Sequence, residues 1–172
     1  KLRLKHGELL DKNGMVNMAN IDYHYRPTDD SDPFQTDIVI LSGKQDRFMP
    51  KFNYKGFQFV EVSSSAPIQL SDENLIAVEM HSDVPIIGYW SSSSDLLNKI
   101  WKATNSSYLA NLFGYPTDCP QREKNGWTGD AHIAIETGLY NFDGISIYEK
   151  WMNDFCDEQK DNGVLPCIIP TS

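Results

Sequence analysis

The sequence predicts a multi-domain protein of the β plus α class, in which a partial antiparallel β-sandwich is followed by α-helices. In the first half, apolar residues alternate with polar ones at a period of two, which is typical of strands. In the second half they recur at helical spacing, and four serines at 91–94 separate the two patterns. We therefore assign residues 1–89 to the sandwich and residues 90–172 to a helical domain.

Short strands are predicted along the first half. Leu2 and Leu4 alternate with charged residues, residues 38–41 form an apolar run, and residues 57–60 and 76–80 again carry apolar side chains. About five or six strands are fewer than a closed sandwich usually contains, so we expect an incomplete sheet pair. Clusters of turn-forming residues are predicted to connect the strands at 11–14, 26–33, 42–46, 63–67 and 71–74.

Helical periodicity in the second half predicts helices over residues 94–113, 129–141 and 145–161. Ser94 stands at the start of the first helix, where its hydroxyl can accept a free backbone N–H of the first turn. Asn162 and Gly163 end the third helix, because both tolerate the left-handed conformation common after a helix terminus.

Composition and charge exclude several classes of function. The 172 residues include 24 acidic and 15 basic ones, giving a net charge of −9, so the chain would repel nucleic-acid phosphates. No apolar run approaches the roughly 20 residues of a membrane-spanning helix. The scattered histidines, the three cysteines and the acidic group Asp29, Asp30 and Asp32 lack metal-ligand spacing. We expect no metal and no cofactor, nucleic-acid partner or membrane partner.

The loop between the first two predicted helices contains the residues best suited to catalysis. Residues 115–130, YPTDCPQREKNGWTGD, combine two prolines and two glycines with carboxylates, an arginine and a tryptophan. Loops on a rigid helical scaffold often carry catalytic groups, and one carboxyl of a pair can act as an acid if its surroundings keep it protonated. We interpret Glu123, four residues before Trp127, as that carboxyl, and Asp118 and Asp130 as ionised.

A purely structural interpretation of the same loop stays open at this point. Asp130 could stabilise the N-terminus of the second helix electrostatically, and Asp118 could order a turn. Arg122 could pair with either acid, and Trp127 could fill the space between helices. Spacing alone does not separate the two interpretations.

The loop sequence resembles the signature of a known enzyme family. Residues 116–131, PTDCPQREKNGWTGDA, are similar to the motif of bacterial α-L-rhamnosidases, glycoside hydrolase family 78. Residues 6–10, 50–62, 150–159 and 161–166 resemble further segments of that family, so essentially the whole chain is covered. The resemblance implies the C-terminal part of a β-sandwich domain followed by the first helices of a six-hairpin (α/α)6 catalytic barrel.

The resemblance also implies a function, that of a hydrolase of carbohydrate metabolism that removes terminal α-L-rhamnose with inversion. Its substrate would be a rhamnose-containing glycoside or polysaccharide. Glu123 matches the general acid, Asp118 and Asp130 match acids that hold the sugar or tune the site, and Arg122 and Trp127 match sugar-binding positions. The general base would lie outside this chain, so we expect the chain alone to be inactive.

Two other functions are consistent with the sequence. Aromatic residues at Phe52, Tyr54, Phe57 and Phe59 could form a platform on which a non-catalytic carbohydrate-binding module holds a sugar. A related six-hairpin glycosidase with another sugar specificity is the second alternative, since a fold does not fix a substrate.

The sequence says less about the cellular compartment and the oligomeric state. Residues 1–10 lack the apolar core of a signal peptide, which leaves a cytoplasmic and a periplasmic or secreted location open. Apolar surface at the edges of two incomplete domains would favour association, so a homo-oligomer is allowed.

Overall fold

The computed structural model describes residues 1–22 and 34–170 and divides the chain into two compact units, Lys1–Glu79 and Met80–Ser172. The predicted turn at 26–33, which includes Asp29, Asp30 and Asp32, lies outside the described residues. The sequence-based boundary between residues 89 and 90 stays a prediction about the domains.

The first unit contains β1 (Leu2–Gly7), β2 (Leu9–Leu10), β3 (Val16–Asn17), α1 (Ala19–Asp22), β4 (Thr36–Val39) and β5 (Phe59–Ser64). It is built on an antiparallel sheet in the order β4–β1–β5, with a second, two-stranded pair β2–β3. In the central strand, Leu4 pairs with Asp37 on one side and with Val62 on the other. The core of this unit contains Val16, Met18 and Ile21.

One predicted strand and the start of one predicted turn are wrong. Residues 76–80 alternate like a strand, yet the structure has no strand there, and Ile76 is 70% exposed. Alternation does not supply the partner strand whose backbone groups must be paired, so the pattern alone is insufficient. The predicted turn at 63–67 begins too early, because Ser63 and Ser64 continue β5 and pair with β1.

A buried polar cluster lies beside β1. The side chains of Lys55 and Asp37 form an ion pair of 3.2 Å and are only 6% and 15% exposed. His6 is buried next to them, with its Nδ1 atom 3.1 Å from the Gln35 carbonyl oxygen and its ring edge-on to Phe57. Burial lowers the pKa of His6, because the charged imidazolium would lose its hydration.

The second unit contains the helices α2 (Asp95–Ala110), α3 (Thr128–Asn141) and α4 (Ile145–Glu158). The three predicted helices are therefore present, with α2 and α4 each ending three residues early. After α2, Leu112 forms a β-bridge with Pro116, and after α4, Gln159 adopts an extended conformation. In the part of the chain that the structure describes, no helix combines the length and apolarity that crossing a membrane requires.

The start of α2 differs in detail from the prediction. Ser94 occupies the N-cap position, but its side chain makes no capping hydrogen bond. The Asn98 side chain instead bonds the Ser92 backbone twice, accepting from its N–H at 2.8 Å and donating to its carbonyl at 2.9 Å. The hydrogen bonds at the start of α2 are therefore made by the Asn98 side chain rather than by the Ser94 hydroxyl.

Two apolar clusters hold the helices together. In the first, the Tyr108 ring stacks on Phe142 with centroids 5.6 Å apart, against Val84 and Leu112. In the second, Tyr148 and Trp151 of α4 pack with Ala131 and Ile169. A hydrogen bond of 2.7 Å between the Tyr108 and Tyr148 hydroxyls connects α2 with α4. This framework fixes both ends of the loop that joins α2 to α3.

Candidate active site

The site loop, defined as residues 115–127, crosses from α2 to α3 and is closed by its own hydrogen bonds. The Asp118 N–H donates to the Asn125 carbonyl at 2.9 Å, and the Tyr115 hydroxyl donates to the Lys124 carbonyl at 3.2 Å. Lys124 has a positive φ of 56°. The loop is therefore an ordered turn of defined shape.

A short segment at 167–169 anchors the end of the site loop. Ile169 N donates to the Gly126 carbonyl and Thr128 N donates to the Cys167 carbonyl, each at 2.9 Å, while Trp127 pairs with Ile168. The Ile169 carbonyl in turn accepts a buried hydrogen bond of 2.8 Å from the Trp151 indole of α4. The loop is thereby tied to the helical core.

Gly126 is required by this close approach. The glycine is buried, and a Cβ atom placed on it would overlap the carbonyl oxygen of Ile169. Only glycine allows the two backbones to lie this close without displacement.

Glu123 and Trp127 are in direct contact. The Trp127 indole N–H donates to Oε2 of Glu123 at 3.0 Å, and both side chains are half-buried. The backbone N–H of Glu123 also donates to the Cys119 sulfur at 3.3 Å. The predicted acid is consequently held at its carboxyl and at its backbone, and Trp127 lies beside it rather than fully inside the helical core.

Both carboxylate oxygens of Asp118 accept hydrogen bonds from within the loop. Oδ1 accepts from the Asn125 N–H at 2.8 Å, and Oδ2 accepts from the Cys119 thiol at 3.0 Å. The half-buried carboxylate therefore orders the turn, which is the structural role that the sequence left open for it.

The structure does not bring Asp130 into this network. Asp130 is exposed in the first turn of α3, where the partial positive charge of the helix N-terminus favours an acidic side chain. Arg122 is half-buried in the site loop, next to Glu123 in the chain. Of the predicted site residues, Asp118, Glu123 and Trp127 are connected by the hydrogen bonds described above.

Cys119 and Asn125 are site residues that the sequence reasoning missed. Nothing in the spacing of the three cysteines distinguishes Cys119, yet it is buried, while Cys156 and Cys167 are exposed. Its position next to Asp118 and four residues before Glu123 was the available signal, but only the folded structure shows that the Cys119 sulfur forms hydrogen bonds with both residues. Across residues 1–22 and 34–170, no group of three or more His, Cys, Asp or Glu side chains could hold a metal ion.

The aromatic platform considered for a binding module is not a feature of one strand. Phe59 opens β5, whereas Phe52, Tyr54 and Phe57 precede it outside regular structure. Phe52 is 98% exposed, but Phe57 packs against His6 with ring centroids 4.9 Å apart. The four rings therefore have different environments.

The sheets of the first unit and the helices and site loop of the second define a chain of the β plus α class with two parts. Two family models match in the same order. The bacterial alpha-L-rhamnosidase concanavalin-like domain matches residues 1–81, and the bacterial alpha-L-rhamnosidase 6 hairpin glycosidase domain matches residues 85–172. The chain belongs to the bacterial α-L-rhamnosidase family.

Individual relatives agree with this assignment. An alpha-L-rhamnosidase of Formosa agariphila is 32% identical over 98% of this chain and 18% of its own length. The structure of the alpha-L-rhamnosidase from Dictyoglumus thermophilum superposes with a TM-score of 0.86 at 35% identity, covering 98% of this chain and 18% of that one.

A Streptomyces avermitilis alpha-L-rhamnosidase, solved in complex with L-rhamnose, superposes with a TM-score of 0.85 at 28% identity, covering 99% of this chain and 16% of that one. The chain therefore spans less than a fifth of the length of these relatives.

Proposed function

We propose that this chain is one part of a longer inverting α-L-rhamnosidase, that Glu123 is the general acid, and that the general base lies outside the 172 residues. Family membership supports the substrate class, terminal α-L-rhamnose on a glycoside or polysaccharide. The small share of each relative that the chain covers supports the expectation that a second catalytic group lies elsewhere. On this proposal, the chain alone does not turn over rhamnosides.

The contact between Glu123 and Trp127 is the observation on which the proposal rests. A general acid must hold its carboxyl within hydrogen-bond reach of the leaving oxygen. The indole N–H fixes Oε2 at 3.0 Å, so the other oxygen, Oε1, is assigned to carry the proton. The apolar face of the same indole suits the ring and the methyl group of a deoxysugar.

The reaction then divides between two carboxyl groups. Glu123 gives its proton to the glycosidic oxygen as the bond from that oxygen to the anomeric carbon breaks, with the bonding electrons leaving on the oxygen. Water attacks the anomeric carbon from the opposite face, and the base removes its proton, so the released sugar has the inverted configuration. Inverting enzymes hold the two carboxyls about 6.5–9.5 Å apart to accommodate that water.

The other predicted residues receive supporting roles in the proposal. Asp118 keeps the site loop closed, since both of its oxygens accept hydrogen bonds from that loop. Arg122 and Asp130 are assigned to contacts with the sugar hydroxyls, and the Trp127 ring to the apolar face and methyl group of the sugar.

Replacing Glu123 in the intact enzyme tests the proposal. Glu123→Gln should lower kcat/KM for a rhamnoside with a sugar as leaving group by about 10²–10⁴-fold, because the amide cannot supply the proton. L-rhamnose should still bind. Glu136→Gln is the matched control, because Glu136 is exposed on α3 and the same change should leave the rate within about twofold.

Two results would contradict the proposal. Near-normal turnover by Glu123→Gln would assign the acid to another residue, and an NMR spectrum showing retained configuration in the first-formed rhamnose would exclude inversion. A higher kcat/KM for a different α-L-glycoside than for the rhamnoside would instead support the alternative of another sugar specificity.

A further inference from the structure

The buried thiol of Cys119 lies between the two acidic residues of the site loop. It donates a hydrogen bond to Oδ2 of Asp118 at 3.0 Å and accepts one from the backbone N–H of Glu123 at 3.3 Å. Cys119 is 9% exposed, so little solvent is available to replace either partner. A thiol is a weak donor and a weak acceptor, and here it uses both capacities.

The same carboxylate also holds the far side of the turn. Oδ1 of Asp118 accepts the Asn125 N–H at 2.8 Å, while Oδ2 holds the thiol that binds the Glu123 N–H. The backbone is therefore fixed at residue 123 and again at residue 125 by groups connected to Asp118. The bond from Trp127 to the Glu123 carboxyl supplies a third point of attachment.

We propose that Cys119 is a positioning residue for Glu123, connecting the Asp118 carboxylate to the backbone of the proton donor. The inference rests on the proposed function, because it assumes that Glu123 is the acid. Cys119 does not touch the sugar; its role is to fix the backbone from which the Glu123 side chain extends. Proton transfer depends on donor reach, and a displacement of about 1 Å can cost a large factor in rate.

Leaving-group dependence separates positioning of an acid from general damage to the protein. A glycoside with a 2,4-dinitrophenyl leaving group departs without protonation, whereas a rhamnosyl disaccharide needs the proton. Cys119→Ala should lower kcat/KM for the disaccharide by about tenfold, the equivalent of one lost hydrogen bond, and leave the activated substrate within about twofold. A merely destabilised variant would lose both activities by the same factor.

Matched variants complete the experiment. Cys119→Ser retains a donor and an acceptor and should recover most of the disaccharide activity. Cys156→Ala makes the same change at an exposed cysteine on α4 and should alter neither activity. If Cys119→Ala does not fold, Cys119→Val removes both hydrogen bonds without leaving a cavity. Its ratio of disaccharide to activated-substrate kcat/KM is then compared with the ratio of Cys119→Ser. A lower ratio in Cys119→Val supports the positioning role, and equal ratios contradict it.

Glu123→Gln, measured on the same two substrates, keeps the two proposals distinguishable. If Glu123→Gln loses the disaccharide activity selectively while the Cys119 variants keep the wild-type ratio, the positioning role is wrong and the proposed function stands. If Glu123→Gln itself keeps the wild-type ratio, the assignment of the acid fails, and the role of Cys119 fails with it.

Discussion

The indole N–H of Trp127 donates a hydrogen bond of 3.0 Å to Oε2 of Glu123, four residues earlier in the chain. Trp127 lies at the N-cap of α3 and pairs through its backbone with Ile168, so its backbone is held in place. Glu123 lies in a turn and obtains much of its orientation from this contact. Trp127, at the start of α3, therefore orients the side chain of Glu123 in the preceding turn.

Removing only the indole N–H should impair catalysis more than binding. Trp127→Phe keeps an aromatic face but leaves Oε2 without its donor, so kcat should fall about tenfold with the KM for rhamnosides changed by less than threefold. Trp127→Ala, which removes the ring as well, should raise KM in addition. Steady-state kinetics of the intact enzyme distinguishes the two variants, and an unchanged kcat in Trp127→Phe would contradict the orienting role.

Gly126→Ala should disrupt the site loop. The added Cβ overlaps the Ile169 carbonyl, which also accepts the Trp151 hydrogen bond, so we expect a loss of about 3 kcal/mol in the free energy of unfolding. Gly129→Ala is the matched control, because Gly129 lies in the first turn of α3 with open space where a Cβ atom would stand. Urea unfolding should show Gly129→Ala to be neutral or stabilising, and equal stabilities of the two variants would contradict the close packing.

The tyrosine pair between α2 and α4 should be energetically coupled. Burial raises the pKa of both phenols, so both hydroxyls stay protonated and share one hydrogen bond. Tyr108→Phe leaves the buried Tyr148 hydroxyl without that partner and should cost about 1–3 kcal/mol.

A double-mutant cycle measures this coupling. The double variant of Tyr108→Phe and Tyr148→Phe should lose less stability than the sum of the single variants, because it leaves no orphaned hydroxyl. Tyr140→Phe, at an exposed tyrosine of α3, should be neutral. Strict additivity of the two buried substitutions would show that the hydroxyls are not coupled.

The free energy of unfolding of the sandwich unit should decrease as the pH falls below neutral, because His6 becomes protonated. Burial holds the pKa of His6 below its ordinary value of 6.5, with the nearby charges of Asp37 and Lys55 acting in opposite directions. As the pH falls, the unfolded chain therefore takes up a proton at His6 at a higher pH than the folded chain does. The stability that neutral His6 contributes is complete above about pH 6.5 and is lost as the pH falls through the folded pKa. His6→Gln should flatten urea-unfolding stability between about pH 5 and 7, whereas His132→Gln, at an exposed histidine, should not.

The architecture was predictable where a local pattern determines it. Helical spacing located α2, α3 and α4, and the change of period near the serine run separated strands from helices. Residues 76–80 show the limit of that reasoning, because a strand also needs a partner that alternation does not specify. The pairing of 126–128 with 167–169 joins segments about 40 residues apart that carry no common pattern, so it could not be inferred.

The sequence named candidate residues for the site, but not the hydrogen bonds that connect them. The carboxylates and Trp127 were identified from their type and from the family motif, whereas the bond between Glu123 and Trp127 and the relay through Cys119 depend on backbone geometry. Asp118 shows the difference most clearly: its two oxygens are engaged within the loop, a role that no spacing argument could separate from sugar binding.

The most direct test of the central claim, that Glu123 is the proton donor, is the dependence of kcat/KM on the leaving-group pKa across a series of aryl α-L-rhamnosides. The intact wild-type enzyme should show a shallow dependence, because Glu123 protonates each leaving oxygen. Glu123→Gln should show a steep negative dependence, with nearly wild-type rates only for the most acidic phenols. Parallel dependences for the two enzymes would contradict the assignment of Glu123.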